Sequence, residues 1–267
     1  MQKDIFLRHY FPRVIKVNKK ISNKDLEKYS RQILIEKIGI DGQIKIFKTK
    51  ILIIGCGGLG SIAATYLSMA GVRTLGLVDD DKIELSNVSR QLFFTEDDIG
   101  KYKTEVLKDK LKKINSNSNV KTFKKKFSQN TSPNILRDYK IILDCTDNFK
   151  SKYLINDQCF KYKKILISAA LYNFELQLFA FRSWHKNSPC YRCIFPTKIL
   201  SSQNCADIGI LTTVAGMGGL LQANMTLNVI LGNSKNIFNF FHIFNSITNE
   251  NKKIMISKNK NCKVCRI

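Results

Sequence analysis

The sequence is poor in proline and glycine, the residues that mark fibrous and many disordered chains. Of its 267 residues only 4 are proline and 14 are glycine, while 44% are hydrophobic. This composition excludes a collagen-like or intrinsically disordered chain and favours a globular protein with a sizeable core. Acidic residues are also scarce, because 21 Asp and Glu stand against 44 Lys and Arg, and the formal net charge is +23.

The basic excess is mostly lysine and is spread widely along the chain. Its densest runs, 108–113 and 124–126, are short and lack interleaved aromatic residues. Nucleic-acid binding is therefore disfavoured, and a solvated surface is the default explanation. Some of this charge would also suit nucleotide phosphates or an acidic protein partner.

Two segments and the cysteine content bear on the cellular compartment of the protein. The N-terminus shows no apolar run with a small-residue cleavage site, so we expect no signal peptide. No charge occurs between Asp207 and Lys235, but Gln222, Asn224 and Asn228 interrupt the apolar residues. We expect a loop and a buried helix there, with no membrane span. Eight cysteines without a secretory signal indicate a reducing, cytoplasmic compartment.

Apolar runs predict strands and helices in alternation. Residues 50–54 and 74–78 are short runs typical of strands buried in a parallel sheet, with a helix over 61–70 between them. Further helices are predicted over 26–34, 102–114 and 151–162, and further strands over 120–123, 140–143, 164–168, 175–181, 238–244 and 253–256.

The alternation predicts an α/β fold, namely a Rossmann-like doubly wound mixed sheet with a β-rich C-terminal half. A basic extension over 1–24 would precede a single domain over 25–267. Within that domain we expect a nucleotide-binding half at about 45–170 and a second half at about 171–267.

A glycine-rich loop separates the first strand from its helix. Gly55, Gly57, Gly58 and Gly60 let the backbone approach a phosphate, and the helix N-terminus supplies amide donors. Asp79 lies nineteen residues past Gly60 at the end of the next strand, where it would accept hydrogen bonds from ribose hydroxyls. The predicted ligand is a nucleotide.

The polar residues that follow favour a triphosphate. Asp147 comes after a later parallel strand, at the sheet edge where ligands bind in such folds, and offers a carboxylate for Mg²⁺. Since a triphosphate requires cations, this set favours ATP over a dinucleotide. An NAD-dependent Rossmann oxidoreductase stays as an alternative, because it can share the glycine loop. The polar residues of this set that follow Asp79 in the sequence are Asp81, Asn87, Arg90, Gln91 and Lys103.

The cysteines fall into two groups. Cys190 with Cys193 and Cys262 with Cys265 form two Cys-x-x-Cys pairs, which predict a tetrahedral zinc site, with two redox pairs as the alternative. Cys205 lies in a polar loop, where a thiol can act as a nucleophile or remain a spectator. Burial as small apolar side chains is expected for Cys56, Cys145 and Cys159.

Together these motifs resemble the E1-like adenylyltransferases typified by ThiF, MoeB and HesA, which activate the C-terminal glycine of a ubiquitin-like sulfur carrier. The resemblance runs from about residue 26 to 265. Departures are Arg266, where the family often has glycine, and Asn224, where it often has an acid. The motifs are YSRQ at 29–32, GCGGLG at 55–60, VDDDKIELSNVSRQ at 78–91, DIGKYK at 98–103, DCTDN at 144–148, PCYRC at 189–193 and CKVC at 262–265.

The resemblance implies ATP-dependent formation of a carrier acyl-adenylate with release of pyrophosphate, for thiamin thiazole or molybdopterin biosynthesis. Arg31 resembles an arginine contributed by the other subunit of a homodimer, and Cys205 resembles a cysteine that links to the carrier in thiamin-pathway members. The resemblance assigns ATP to Gly58, Asp79, Asn87, Arg90 and Lys103, Mg²⁺ to Asp147, and zinc to Cys190, Cys193, Cys262 and Cys265.

The implied partners are a ThiS- or MoaD-like carrier and a separate sulfur donor such as a cysteine desulfurase. Two other classes stay open beside this one. One is the oxidoreductase named above, and the other is a non-catalytic zinc scaffold that binds the carrier.

Overall fold

The computed structural model describes residues 21–196 and 209–266. The predicted extension over 1–24 falls mostly outside these residues, and residues 22–24 already cap and begin the first helix. Cys205 also lies outside them. The described strands are β1 (Lys50–Ile54), β2 (Thr74–Val78), β3 (Asn119–Phe123), β4 (Ile141–Asp144), β5 (Ile165–Tyr172), β6 (Glu175–Phe181), β7 (Phe240–Asn245) and β8 (Glu250–Met255).

Helices cover both faces of the sheet. Short segments connect several of them, including a 3₁₀ turn over Glu96–Asp98. The described helices are α1 (Asn23–Ile33), α2 (Gly39–Lys48), α3 (Gly58–Met69), α4 (Leu85–Val88), α5 (Lys103–Ile114), α6 (Ser132–Leu136), α7 (Phe149–Lys161), α8 (Tyr191–Ile194) and α9 (Thr212–Leu231).

One mixed sheet runs through both halves of the chain. Its strand order is β3-β2-β1-β4-β5-β6-β7-β8. The pairs from β3 to β5 are parallel, whereas β5 to β8 pair antiparallel. The predicted α/β mixed sheet is therefore confirmed. The β-rich half extends the same sheet rather than building a second one.

Alternating side chains of β1 supply two core layers. Ile51 and Ile53, both fully buried, join α3, α5 and α9 on one face, while Leu52 and Ile54 join α6 and α7 on the other. This burial on both faces explains why a continuous apolar run forms the central strand.

Helix α2 was not predicted, because Gly39 and Gly42 looked like helix terminators. Gly39 instead begins the helix with a positive φ of 54°. Gly42 lies within it and allows a close approach to another helix, because a Cβ there would lie 2.9 Å from Leu231 Cδ2. The glycines serve packing, which a single sequence does not distinguish from a stop signal.

The uncharged segment forms α9. By length and composition alone this helix could cross a membrane, but it packs on α2, α3, β5 and β6. A Cβ on Gly219 would lie 2.5 Å from the carbonyl oxygen of Leu59, so the two helices touch through their backbones. This packing agrees with the expected buried helix.

Candidate functional site

A cavity opens where the order of the strands reverses. The chain leaves β1 for β2 and β3 on one side and returns to β4 on the other, which creates a crevice at the carboxyl ends of β1 and β4. The cavity there has a volume of about 690 Å³. It is lined by ten of the residues that the sequence singled out: Gly55, Gly57, Gly58, Asp79, Asp81, Asn87, Arg90, Gln91, Lys103 and Asp147.

The glycine loop is shaped by close backbone contacts. Gly55 has a positive φ of 92°, and a Cβ there would lie 2.7 Å from the carbonyl oxygen of Cys145. Gly60 is not part of the cavity lining, and a Cβ there would lie 1.9 Å from the carbonyl oxygen of Gly55. Gly57 caps α3 without a side-chain hydrogen bond, so the first amides of this helix are open to an anion.

Asp79 is fixed against the glycine loop. Its Oδ2 accepts a hydrogen bond from the Cys56 amide at 2.7 Å, and its Oδ1 accepts one from the Asp81 amide at 2.8 Å. Burial raises the pKa of this carboxyl, while these two amides and Lys103 act to lower it. The carboxylate thus connects the ends of β1 and β2 at the cavity wall.

Lys103 enters the cavity from the first turn of α5. Its side chain is only 8% exposed, and its Nζ lies 2.8 Å from Oδ2 of Asp81, whose side chain is 64% exposed. The Lys103 amide also donates to the Asp81 carbonyl at 3.1 Å. Asp81 therefore holds the buried lysine in place at the cavity wall.

The segment around α4 supplies three further polar groups. Asn87 Oδ1 accepts a hydrogen bond from the Glu84 amide at 3.2 Å, and Arg90 Nη1 donates to the Ser86 carbonyl at 2.8 Å. Gln91 is buried, and its Oε1 has no hydrogen-bond partner within the described part of the chain. An unpaired buried acceptor of this kind suits a donor on a ligand or a water.

Carboxylates at this edge fit a hard cation. The Asp147 side chain is exposed to the cavity, and one oxygen each of Asp79, Asp80 and Asp81 lie within 4.8 Å of one another. Mg²⁺ prefers such oxygen ligands together with phosphate oxygens. The donor set thus fits Mg²⁺.

Sequence reasoning missed four groups at this site. Lys125 and Lys126 line the cavity, although their run looked like a solvated surface. Asp144 and Lys152 form a buried ion pair at 3.2 Å, in which Asp144 lies behind the cavity and Lys152 contributes to its lining. A charged residue at the end of a buried strand is a signal that could have revealed this pair.

The structure does not bring every predicted residue into the cavity. Arg31 lies in the last turn of α1 with an exposed side chain, away from the cavity lining of its own chain. Cys205 lies outside the described residues, so its role stays a prediction. Cys56 and Cys159 are buried as expected, whereas Cys145 is half-buried and lines the cavity.

The two Cys-x-x-Cys pairs meet at one point. The Sγ atoms of Cys190 and Cys262 are 3.6 Å apart, and all four Sγ atoms lie within 4.8 Å of one another. A tetrahedral zinc–thiolate site with bonds near 2.3 Å has sulfurs about 3.8 Å apart. The Asn259 amide lies 3.4 Å from Cys193 Sγ, as a donor that orients a thiolate ligand would. The cluster fits zinc.

Comparison with known proteins agrees with this geometry. The model of the ThiF family matches residues 29–264. The chain is 40% identical over 216 residues to the adenylyltransferase and sulfurtransferase MOCS3 of Culex quinquefasciatus, covering 80% of this chain and 49% of that protein. Its identity to the Aedes aegypti protein of the same name is 35% over 249 residues, covering 92% and 56%. The chain thus spans about half the length of these curated relatives.

Solved structures show the same fold. A crystal structure of E. coli MccB with ATP is similar with a TM-score of 0.77 and 25% identity, covering 89% of this chain and 74% of that one. A crystal structure of PaaA is similar with a TM-score of 0.75 at 22% identity, covering 91% of this chain and 77% of that one.

Proposed function

This chain belongs to the ThiF family, and on that premise we propose that it is an ATP-dependent adenylyltransferase that activates a ubiquitin-like sulfur carrier. The observation that carries the proposal is the cavity at the switch point of the sheet. It combines open helix amides, the cations Arg90 and Lys103, and the carboxylate of Asp147. This combination suits a nucleoside triphosphate that reacts with an anionic carboxylate.

The cavity has the size and chemistry for ATP. Its volume of about 690 Å³ lies within the range of small-molecule sites. The glycine loop and the N-terminus of α3 would receive phosphates, and Asp79 would accept from the ribose hydroxyls. Asn87 and Gln91 would supply further polar contacts along the same wall.

In the proposed reaction, an oxygen of the carrier's terminal carboxylate attacks the α-phosphorus of ATP. A carboxylate–phosphorus bond forms, the bond from that phosphorus to the bridging oxygen breaks, and pyrophosphate leaves. Negative charge grows on the bridging and leaving oxygens, where Arg90 and Lys103 would stabilise it. Asp147 would hold Mg²⁺, which neutralises phosphate charge when bound.

Arg31 would complete the site from a second copy of the chain. Since the residue is exposed and does not line the cavity of its own subunit, a contribution to catalysis requires a partner subunit. We therefore include a homodimer in the proposal. Loss of exchange activity on dilution to monomers would support it, and full activity of a monomer would contradict it.

The four-cysteine cluster is proposed to bind zinc. The cysteines Cys190, Cys193, Cys262 and Cys265 would tie the C-terminal segment to α8. Such a site would be structural, because all four ligand positions are taken by protein sulfurs.

The carrier is proposed to be ThiS-like or MoaD-like and to end in Gly-Gly. Sulfur would come from a donor such as a cysteine desulfurase, and Cys205 would take part if a covalent carrier intermediate forms. The positive charge of +23 would speed the approach of an acidic carrier. In that case the association rate falls as salt is raised, and a rate independent of salt would contradict the recruitment role.

The test of the proposal is carrier-dependent exchange of radiolabelled pyrophosphate into ATP. ThiS-like and MoaD-like proteins are offered separately to zinc-loaded enzyme. Exchange with one carrier alone would establish adenylation and identify the thiazole or molybdopterin pathway. No exchange with either would contradict the proposal, and tight NAD binding in its place would favour the oxidoreductase. Carrier binding without exchange would favour the scaffold.

A further inference from the structure

We propose that Asp144 and Lys152 are positioning residues that fix the loop over 145–148 and so set the affinity of the cavity for a divalent cation at Asp147. This inference rests on the proposed function, because it concerns the cation that accompanies ATP. Neither residue was singled out by the motifs as a ligand. Asp144 is buried behind the cavity, and Lys152 reaches the cavity lining with its Nζ paired to Asp144.

The Asp144 carboxylate receives four hydrogen bonds. Its Oδ1 accepts from the amide and the hydroxyl of Thr146 at 3.0 and 2.6 Å. Its Oδ2 accepts from Lys152 Nζ at 3.2 Å and from Ser168 Oγ at 2.6 Å. Because Asp144 is fully buried, losing any of these donors is costly, and the carboxylate has one well-defined position.

Lys152 balances that charge from α7. Its side chain is 4% exposed, and its Nζ also donates to the Ala169 carbonyl at 2.7 Å. A buried ion pair adds little net stability over an apolar pair, although removing one partner leaves an uncompensated buried charge and is strongly destabilising. The role of the pair is therefore to fix the position of the Asp144 carboxylate.

Helix α9 fixes the same strand end from the other side. Gln222 is fully buried, and its Nε2 donates to the carbonyls of Asp144 and Ile167 at 3.0 and 2.9 Å. Its Oε1 accepts from the Cys145 thiol at 3.1 Å. Thr146, which Asp144 holds directly, is the residue immediately before Asp147, whose carboxylate is exposed.

This arrangement matters because Mg²⁺ demands nearly ideal octahedral geometry. Groups that orient a metal ligand from behind typically change metal affinity by about 10–100-fold when removed. Thr146 is the residue through which the buried pair would act on Asp147. The hydrogen bond from its hydroxyl to Asp144 is therefore the contact to remove in a test of the inference.

The test compares Thr146→Val with Ser168→Ala. Each substitution removes one hydroxyl hydrogen bond of 2.6 Å to Asp144, but only Thr146 belongs to the loop. Binding of Mn²⁺ in the presence of ATP is measured by electron paramagnetic resonance, with the melting temperature of each variant. We expect Thr146→Val to weaken Mn²⁺ binding about tenfold and Ser168→Ala to change it less than twofold. Both variants should lose similar thermal stability.

Lys152→Arg and Lys152→Met provide the second arm. The arginine keeps a buried cation and should retain most of the Mn²⁺ affinity, whereas the methionine should lower it. Equal losses in Thr146→Val and Ser168→Ala, no loss in either, or no Mn²⁺ binding by the wild type would overturn the inference. This assay needs no carrier. If Thr146→Val weakens Mn²⁺ binding and Ser168→Ala does not, while the enzyme shows no pyrophosphate exchange, the proposed function is contradicted and the present inference is not.

Discussion

The parallel and antiparallel halves of the sheet build their sites in different ways. In the parallel half, Asp79, Lys103 and Asp147 come from separate elements and meet because parallel strands end at one edge. Hydrogen bonds within the protein already hold the first two. In the antiparallel half, Cys193 and Cys262 are separated by 68 residues, and the four sulfurs converge in a cluster against which Phe160 and Val264 pack. Hydrogen bonds within the protein thus organise the first site, whereas the second is proposed to depend on a bound metal.

The largest expected effect tests the parallel half. Arg90→Ala and Lys103→Ala should each lower the exchange rate by about 10²–10³, because in the proposed reaction each removes a cation that would face the developing charge. Carrier affinity, measured by calorimetry, should change by less than threefold. Lys112→Ala, an exposed lysine on the helix that begins at Lys103, is the matched control and should behave as wild type.

That experiment is interpreted by comparing the loss of exchange rate with the loss of carrier affinity. Equal losses of exchange and carrier affinity in Lys103→Ala would remove the lysine from the reacting centre. A loss of the same size in Lys112→Ala would point to a general charge effect instead.

The next effect tests the antiparallel half. Cys265→Ser should abolish stoichiometric zinc and make the C-terminal segment sensitive to protease, because a structural zinc supplies local folding free energy. ATP affinity should stay within about twofold, since the glycine loop lies in the other half. Cys159→Ala alters a buried cysteine outside the cluster and should keep its zinc. Zinc content by atomic absorption is the measurement, and undiminished zinc in Cys265→Ser would contradict the assignment.

A third prediction sharpens the claim that the parallel site is organised by folding. Gly60→Ala would place a Cβ 1.9 Å from the Gly55 carbonyl oxygen and should lower the free energy of unfolding by about 3 kcal/mol. Gly216→Ala, in a helix and with nothing within 4 Å of the new Cβ, should raise it by up to about 1 kcal/mol. Urea unfolding of both variants is the check, and shifts of the same sign would show that the close contact does not matter.

The smallest effect concerns the loop that leads to Lys103. Burial raises the pKa of Asp98, but hydrogen bonds from Thr95, Lys110 and Lys101 outweigh it and lower the pKa from 3.8 to about 2. The depressed pKa contributes about 2 kcal/mol of stability above pH 4, and this contribution disappears as the pH falls towards 2.

Asp98→Asn should therefore destabilise the protein at pH 6 and have a much smaller effect at pH 2.5. Urea unfolding at the two pH values gives the comparison. Asp97→Asn, which alters an exposed neighbouring carboxylate, is the control and should show no such pH dependence. A penalty for Asp98→Asn that is the same at both pH values would contradict the assigned ionic role.

Much of the parallel half could be predicted from the sequence. The bounds of β1 and β2 were predicted correctly, because each is a β-branched or leucine-rich run ending at Gly55 or Asp79. The end of the first run at Gly55 also located the glycine loop. By contrast, α2 was missed because Gly39 and Gly42 support tertiary contacts that no local pattern encodes.

The buried support of the candidate site was harder to predict for a different reason. Asp144 and Lys152 are eight residues apart, and their other partners, Ser168 and Gln222, come from a later strand and from α9. Only the packed fold brings them together. Lys125 looked like a solvent-exposed charge in the sequence, because the spacing of residues alone does not show which loops line a cavity.

The most direct test of the account follows oxygen from the carrier. A carrier labelled with ¹⁸O in its terminal carboxylate is incubated with enzyme, ATP and Mg²⁺, and hydroxylamine is added to attack the acyl carbon. Attack of the carboxylate on the α-phosphorus predicts that ¹⁸O appears in the released AMP, as measured by mass spectrometry. Label found in inorganic phosphate, or AMP released without label, would contradict adenylation of the carrier.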